Sequence, residues 1–287
     1  MPILGSRRAS LRTWLCYVAL ALPLLGCQLF HSSDKLHTAE KRLPPLQPAP
    51  DALELEILFV ERPVGDRLLG EPLWHDVDQI LSLVDPPTQL DLERNGFRVG
   101  VVGSHPPAAL QSMLQLKSDW KSTGTVDEEA PLSGNRLFIR SGMTSEVQVS
   151  PVYPECEITH YASHQSRQGE SKTYSQARCQ LRVSATRTQE GWARLDFLPE
   201  IQHGDERPRP TAGANEWEMI ASQQSERLHK LAFSVMLNVG EMALVTARDE
   251  EGTLGQRFFI GPPGNDGVQR MLIVRLAHVG KKDQTSH

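Results

Sequence analysis

From Leu137 to His278 apolar and polar residues repeatedly change places one for one, and this period of two constrains the chain more than any other feature. Side chains alternate across a strand, so such runs bury one face of a sheet and wet the other. The strand-like runs are Leu137-Phe138-Ile139, Ser145 to Val152, Glu155 to Tyr161, Tyr174 to Thr186 and Ala193 to Ile201. Leu231 to Val239, Met242 to Ala247, Gln256 to Ile260 and Gln269 to His278 follow, separated by Gly240-Glu241, a turn over 249–255 and a Gly/Pro loop over 261–267. Between the two sets, a loop containing Pro208 and Pro210 leads into a short helix expected over Trp217 to Arg227. Many short strands with turn signals between them predict an antiparallel β domain over 135–287, as a sandwich or an open barrel.

The preceding stretch has another rhythm. Leu53-Glu54-Leu55-Glu56-Ile57 runs into Leu58-Phe59-Val60 as a strand, and Leu73, Val77, Ile80 and Leu81 fall at helical spacing. Gln89 to Arg94 reads as a helical turn or two stopped by Asn95-Gly96, Phe97 to Val102 as a second strand, and Pro106 to Leu116 as a further helix. These elements predict a small α/β domain over 52–118, joined by a polar linker over 119–134 to the β domain, and the whole chain is expected to be α+β.

The N-terminus is an address. Arg7, Arg8 and Arg12 precede an uncharged stretch from Thr13 to Leu25, the three parts of an export signal being completed by small Gly26. Thirteen residues fall short of the roughly 20 needed to span a hydrocarbon core. Leu24-Leu25-Gly26-Cys27 resembles the lipobox of bacterial lipoproteins. The resemblance implies that residues 1–26 are a signal peptide, that Cys27 becomes an acylated N-terminus, and, with Gln28 rather than aspartate next, that the protein sits in the outer membrane facing the periplasm. Residues 27–51, ending Leu43-Pro44-Pro45-Leu46-Gln47-Pro48-Ala49-Pro50, read as an extended tether.

Losing residues 1–26 removes three arginines and no acidic residue, which moves the formal net charge from −5 to −8. An acidic body disfavours nucleic acid and polybasic adhesion to anionic lipid, leaving the acyl chains as the membrane contact. Export also bears on the cysteines. With Cys16 gone and Cys27 acylated, Cys156 and Cys179 remain as a pair in an oxidising compartment, and a hairpin turning near Ser166 to Ser171 would set them opposite each other as a disulfide. His160 and His164 lie between them, but the spacing is unlike zinc modules, so neither metal nor cofactor is expected.

Catalytic signals are thin. His75, Asp76 and Asp78 fit the wet face of an amphipathic helix, and Gly96, Gly100 and Gly103 form no nucleotide fingerprint. Ser104 and Ser141 lack a Gly-x-Ser-x-Gly elbow. His203, beside Asp205 and Glu206, is the one candidate acid/base group, and a hydrolase ranks third among the functional readings.

The segments Ala193 to Ile201, Phe233 to Val245 and Arg270 to Leu276 resemble the strand series of the secretin homology region, with Leu198-Pro199-Glu200-Ile201 ending one strand and Gly240-Glu241 turning between two others. Secretins are ring-forming outer-membrane channels, and the resemblance implies a secretin-like β domain. Val245-Thr246-Ala247 stands where that family usually has paired glycines. The first reading is therefore a non-enzymatic envelope lipoprotein acting as a binding or structural module for a protein partner or cell-wall polymer, as a monomer rather than a ring; the alternative is a secretin-like subunit of an outer-membrane secretion complex. Charges such as Arg182, Arg187, Arg194 and Asp196 within the strands favour water over lipid on one sheet face.

Overall fold

Two consecutive strands of equal length carry the logic of this fold. Phe233–Asn238 buries every second residue, whereas Met242–Ala247 is buried at all six positions. The first therefore belongs to a sheet with one packed face, and the second to a sheet packed on both.

The computed structural model describes residues 52–77, 85–114, 133–212, 217–248, 252–260 and 267–280, all within one compact unit, Pro48–His287. The strands are β1 Ala52–Pro63, β2 Phe97–Val102, β3 Ser133–Arg140, β4 Thr144–Gln148, β5 Tyr153–His160, β6 Glu170–Gln189, β7 Trp192–Ala212, β8 Trp217–Arg227, β9 Phe233–Asn238, β10 Met242–Ala247 and β11 Val268–Val279. Four short helices accompany them: α1 Glu71–Asp76, α2 Pro86–Arg94, α3 Ala108–Met113 and α4 Leu254–Phe259. The described part is thus mostly β, with few helices, and its sheets are antiparallel.

The first sheet runs β2-β10-β11-β1-β3 and the second β4-β6-β7-β8, with β5 also pairing β6 and β9 also pairing β7. Leu53, Leu55, Ile57, Val101, Val245, Leu272 and Val274 face the second sheet's Leu181, Val183, Leu195, Phe197 and Val235 in one core. The other face of the first sheet, through Val60, Val102, Met242, Leu244, Met271 and Ile273, is covered by a cap comprising Leu69, α1 and α3. Gly100 makes that cap possible, because a Cβ there would stand 2.3 Å from Val77 and 3.0 Å from the Trp74 ring. Three layers result: helical cap, first sheet, second sheet.

This architecture overturns the expected division at 119–134. Strand β1 lies between β11 and β3, and β2 pairs with β10, so the strands assigned to an N-terminal α/β domain are built into a sheet with C-terminal strands. Adjacency in sequence gave two groups; the apolar faces found their partners across the chain. Residues 78–84 and 115–132, which contain parts of the expected helices and most of the linker, lie outside the described residues, as do the signal peptide, Cys27 and the tether.

Two elements differ in kind from the sequence expectation. Trp217–Arg227 is a strand, paired with β7 from Glu200 to Ala212. Strand β7 runs on through Pro208 and Pro210, and there its pairs are with β8 while those with β6 stop at Gln202, so prolines without N–H groups sit at an unladdered edge. Conversely, Leu254–Phe259 is helical. Gly255 touches the Gly96 backbone so closely that a Cβ would lie 2.1 Å from the Gly96 carbonyl oxygen, and both Phe258 and Phe259 become buried, packing edge-on to Phe97. Tertiary packing outweighs the strand propensity of a short Phe-Phe-Ile run.

Candidate binding cleft

The helical cap does not seal the end of the sheet it covers. Between Gly65–Pro72 on the cap and the ends of β2, β10 and β11 opens a cleft of about 470 Å³, lined by Asp66, Arg67, Glu71, Trp74, Arg98, Arg248 and Gln269 among others. Pockets of about 300–1,000 Å³ are typical of small-ligand sites.

Each wall has a local cause. The loop after β1 turns at Gly65 with φ of 81°, and Asp66 caps the following 3-10 turn by accepting the Leu68 N–H at 2.9 Å and Arg62 Nε at 2.6 Å. The Leu68 N–H chiefly, with Arg62 adding to it, holds the Asp66 carboxyl below the usual carboxylate range against the opposing effect of burial. Pro72 starts α1, which buries Leu73 and Trp74, and the Trp74 indole N–H donates to the Leu69 carbonyl at 3.0 Å. Arg98, an outward residue of β2, lies over that fixed ring at 4.5 Å and meets Glu71 through Nη1 at 3.2 Å. Arg248 follows β10 and meets Glu93 of α2 through Nη1 at 3.3 Å. Burial chiefly holds the Arg98 guanidinium below its ordinary value, with Arg248 adding repulsion and Glu71 and Glu93 opposing it. Buried Gln269 donates to Thr246 Oγ1 and the Ala247 carbonyl, fixing the floor. The arrangement is rigid, polar and rich in guanidinium donors, groups suited to holding a ligand rather than transferring protons at neutral pH.

The residues singled out in the sequence lie elsewhere. The hairpin expected around the cysteines exists as β5–β6, but its register places Cys156 opposite Tyr174 and Cys179 opposite Ile201 of β7. Cys179 stands five positions beyond the residue facing Cys156. Both are free, buried thiols that burial pushes up, and the bridge expected between them is not formed in this structure. Cys27 lies outside the described residues.

His160 faces Glu170 at 3.9 Å. His164 docks on Asp91 of α2 through Nδ1 at 2.6 Å, beside Asn95, whose amide donates to the carbonyls of Asp91 and Tyr161 and accepts the Tyr161 N–H. This polar clasp fastens the β5–β6 loop to α2. His75 and Asp76 are exposed on α1 as expected, and Asp78 is outside the described residues. The hydroxyl of Ser104 contacts His105 Nδ1, and Ser141 accepts the Arg187 N–H, both local loop contacts.

His203 packs edge-on against Tyr174, with ring centroids 5.0 Å apart, beside Lys172 and Glu226. The Tyr174 hydroxyl donates to Glu226 at 3.1 Å, and Lys172 meets the same carboxylate at 2.5 Å. Asp205 and Glu206, adjacent in sequence, are exposed beyond the irregularity at Gly204. Among the described residues no group of three His, Cys, Asp or Glu side chains is placed to hold a metal ion.

Arg67, Arg98 and Arg248 escaped sequence reasoning because about 180 residues separate the first from the last. The available signal was an arginine on or just after an otherwise apolar strand, Arg98 in β2 and Arg248 after β10; Arg67, in the 3-10 turn after β1, carried none.

The outward face of the second sheet carries a further ordered network. Glu200 is 1% exposed, accepts Gln180 Nε2 at 3.2 Å, and meets Arg182 at 3.5 Å and Arg227 at 3.3 Å. Burial works against its ionisation, but Ser225 and the two arginines outweigh it and hold the carboxyl below the usual range. A second cleft of about 390 Å³ lies beside it, lined by Arg182, Arg227, Asp196 and Ser234.

The secretin-like segments map onto β7, β9, β10 and β11, but β9 and β10 are not a hairpin: Gly240, with φ of 93°, passes the chain from the second sheet to the first. No family model matches the chain, and no curated protein matches it. Among solved structures it is similar to a chain in the cryo-electron microscopy structure of a pilotin–secretin complex of ETEC, at 12% identity and a TM-score of 0.18, covering 78% of this chain and 46% of that one. This chain therefore spans less than half of that neighbour.

Proposed function

We propose that this chain is a lipid-anchored envelope protein whose β body is a non-enzymatic binding module. Removal of residues 1–26 and acylation of Cys27 would anchor it, residues 27–51 would tether it, and the outer membrane facing the periplasm is its expected place. The observation that carries the binding reading is the arginine-lined cleft, whose side chains are held by ion pairs and an aromatic ring on a sheet packed on both faces. No helix among the described residues is long and apolar enough to cross a membrane. Metabolic labelling with an alkyne fatty acid in a bacterial host tests the anchor. The wild-type chain takes up label and partitions with membranes; Cys27→Ala loses the label and retains its signal, and equal labelling of both overturns the reading.

The alternative, a secretin-like subunit of an outer-membrane complex, is favoured by the order of strands β7, β9, β10 and β11. Light scattering of the detergent-extracted protein separates the two. A mass near that of one chain abandons the ring; a large, discrete oligomer supports it.

A further inference from the structure

We infer that the cleft between the cap and the ends of β2, β10 and β11 is a binding site for an oxyanion, phosphate in its simplest form, held by Arg67, Arg98 and Arg248. This rests on reading the body as a binding module and assigns that module its ligand chemistry.

Three of the lining side chains are cationic and two, Asp66 and Glu71, anionic; with the partners Arg62 and Glu93 included, four guanidinium groups face three carboxylates. Asp66 is already committed to Arg62 and the Leu68 N–H, and Glu71, with its side chain 85% exposed, is a weakly bound partner. An excess of positive charge inside a chain of formal charge −5 is a local reversal, and a cleft with low-dielectric walls concentrates the field of such a reversal.

Arg98 and Arg248 meet their carboxylates through Nη1 alone, and Arg67 is exposed with no ion pair among the described residues. A guanidinium presents five N–H donors in a fork that matches phosphate or carboxylate oxygens in pairs, so most of this capacity is unspent. Arg98 and Arg248 also repel each other, and burial of Arg98 sharpens that cost. An anion held in the cleft that both line offsets that repulsion.

Arg98 rests on the ring of Trp74, the ring is tethered to the Leu69 carbonyl, and α1 is seated over Gly100. Arg98 is therefore fixed before a ligand arrives, which lowers the ordering cost of binding at that side of the cleft.

Calorimetric titration of the full chain in mild detergent with inorganic phosphate, at low ionic strength and against matched chloride, tests the site. Saturable phosphate binding is expected, weakened about tenfold or more by Arg248→Gln and by Arg67→Gln, in line with one charged hydrogen bond lost. Arg67 is exposed, so its variant keeps the test valid should Arg248→Gln disturb the fold. Absence of saturable binding, or equal binding by wild type and Arg67→Gln, overturns the site. Parallel titrations with citrate and with glycerophosphoglycerol identify the source: tighter binding of the latter assigns the oxyanion to a lipid headgroup, and tighter phosphate or citrate to a soluble ligand. Fatty-acid labelling of the same preparation keeps failures apart. A labelled protein that ignores all three anions loses only the ligand assignment, whereas an unlabelled one that binds phosphate loses only the anchor.

Discussion

The two sheets use the same alternation to opposite ends. In the first, both sets of side chains on β10, Thr246 apart, and on the Met271–Val274 centre of β11 are apolar and buried, one against the second sheet and one beneath the cap. In the second, the inward residues of β6, β7 and β9 form the core, while the outward ones, Gln180, Arg182, Asp196, Glu200 and Ser234, form a hydrogen-bonded and ionic lattice. A sheet face thus reports what covers it. Where helices lie on top, strands lose their polar half; where they do not, charge takes its place and can be tied down by its own neighbours.

The comparison breaks most sharply at a pair of outward residues on consecutive strands. Leu244 points from β10 into the cap cluster and is fully buried, whereas Met236 points outward from β9 and is half-buried. Leu244→Ala is expected to cost about 3 kcal/mol, through lost burial and a cavity. Met236→Ala is expected to cost less than about 1 kcal/mol, as at sites outside a packed core. Urea denaturation measures both; equal costs would mean that the cap adds no core of its own.

The charged lattice supplies a second, smaller contrast. Removing Glu200 leaves Arg182 and Arg227 without the carboxylate that joins them, and Glu200→Ala should cost about 2 kcal/mol, below the 3–5 of fully buried pairs because both arginines retain solvent. Arg136, which meets Glu54 and Glu56 at 3.7 Å each from a largely exposed position on β3, makes the control. Arg136→Ala should change stability by less than about 0.5 kcal/mol. A Glu200 effect no larger than this would show that the lattice is decorative.

Legibility followed this same division. Strands β6, β7 and β9 could be read from alternation because the second sheet has one dry and one wet face, and α2 ended at Asn95-Gly96 as its stop signal required, with Gly96 at a φ of 78°. The strand nature of β8 could not be read, since Trp217 to Arg227 has no clean period and its conformation is imposed by β7. Nor could α4, whose apolar run is set by the Gly255 contact with Gly96. The pairing of β1 with β11 depends on which apolar faces meet at long range, and for that reason the expected domain boundary failed. The cleft is assembled from residues around 67, 98 and 248, so no local pattern announced it. The polar clasp of Asn95, Asp91 and His164 is similarly non-local. By contrast, His203 was visible as a histidine among acids, and the structure sets it within β7 and gives it partners that sequence could not.

Those partners make the smallest effect predictable in sign. His203 is half-buried against Tyr174; burial lowers its pKa, nearby Lys172 lowers it further, and Glu226 opposes both. The folded protein therefore binds fewer protons than the unfolded chain around the ordinary histidine value of about 6.5, and stability must fall as pH drops through that value toward the folded one. Glu226 does not confuse the window. Burial disfavours its ionisation, but Lys172, Tyr174 and the neighbouring His160 hold its carboxyl below the usual range, so its contribution persists until pH falls below about 4. Urea midpoints at pH 7.5 and 5.5 should differ less in His203→Gln than in wild type, because the variant has no proton to take up at that position. An unchanged difference would mean that the Tyr174–His203 contact opens freely to water, and that this end of the second sheet lacks the fixed packing that distinguishes the lattice around Glu200.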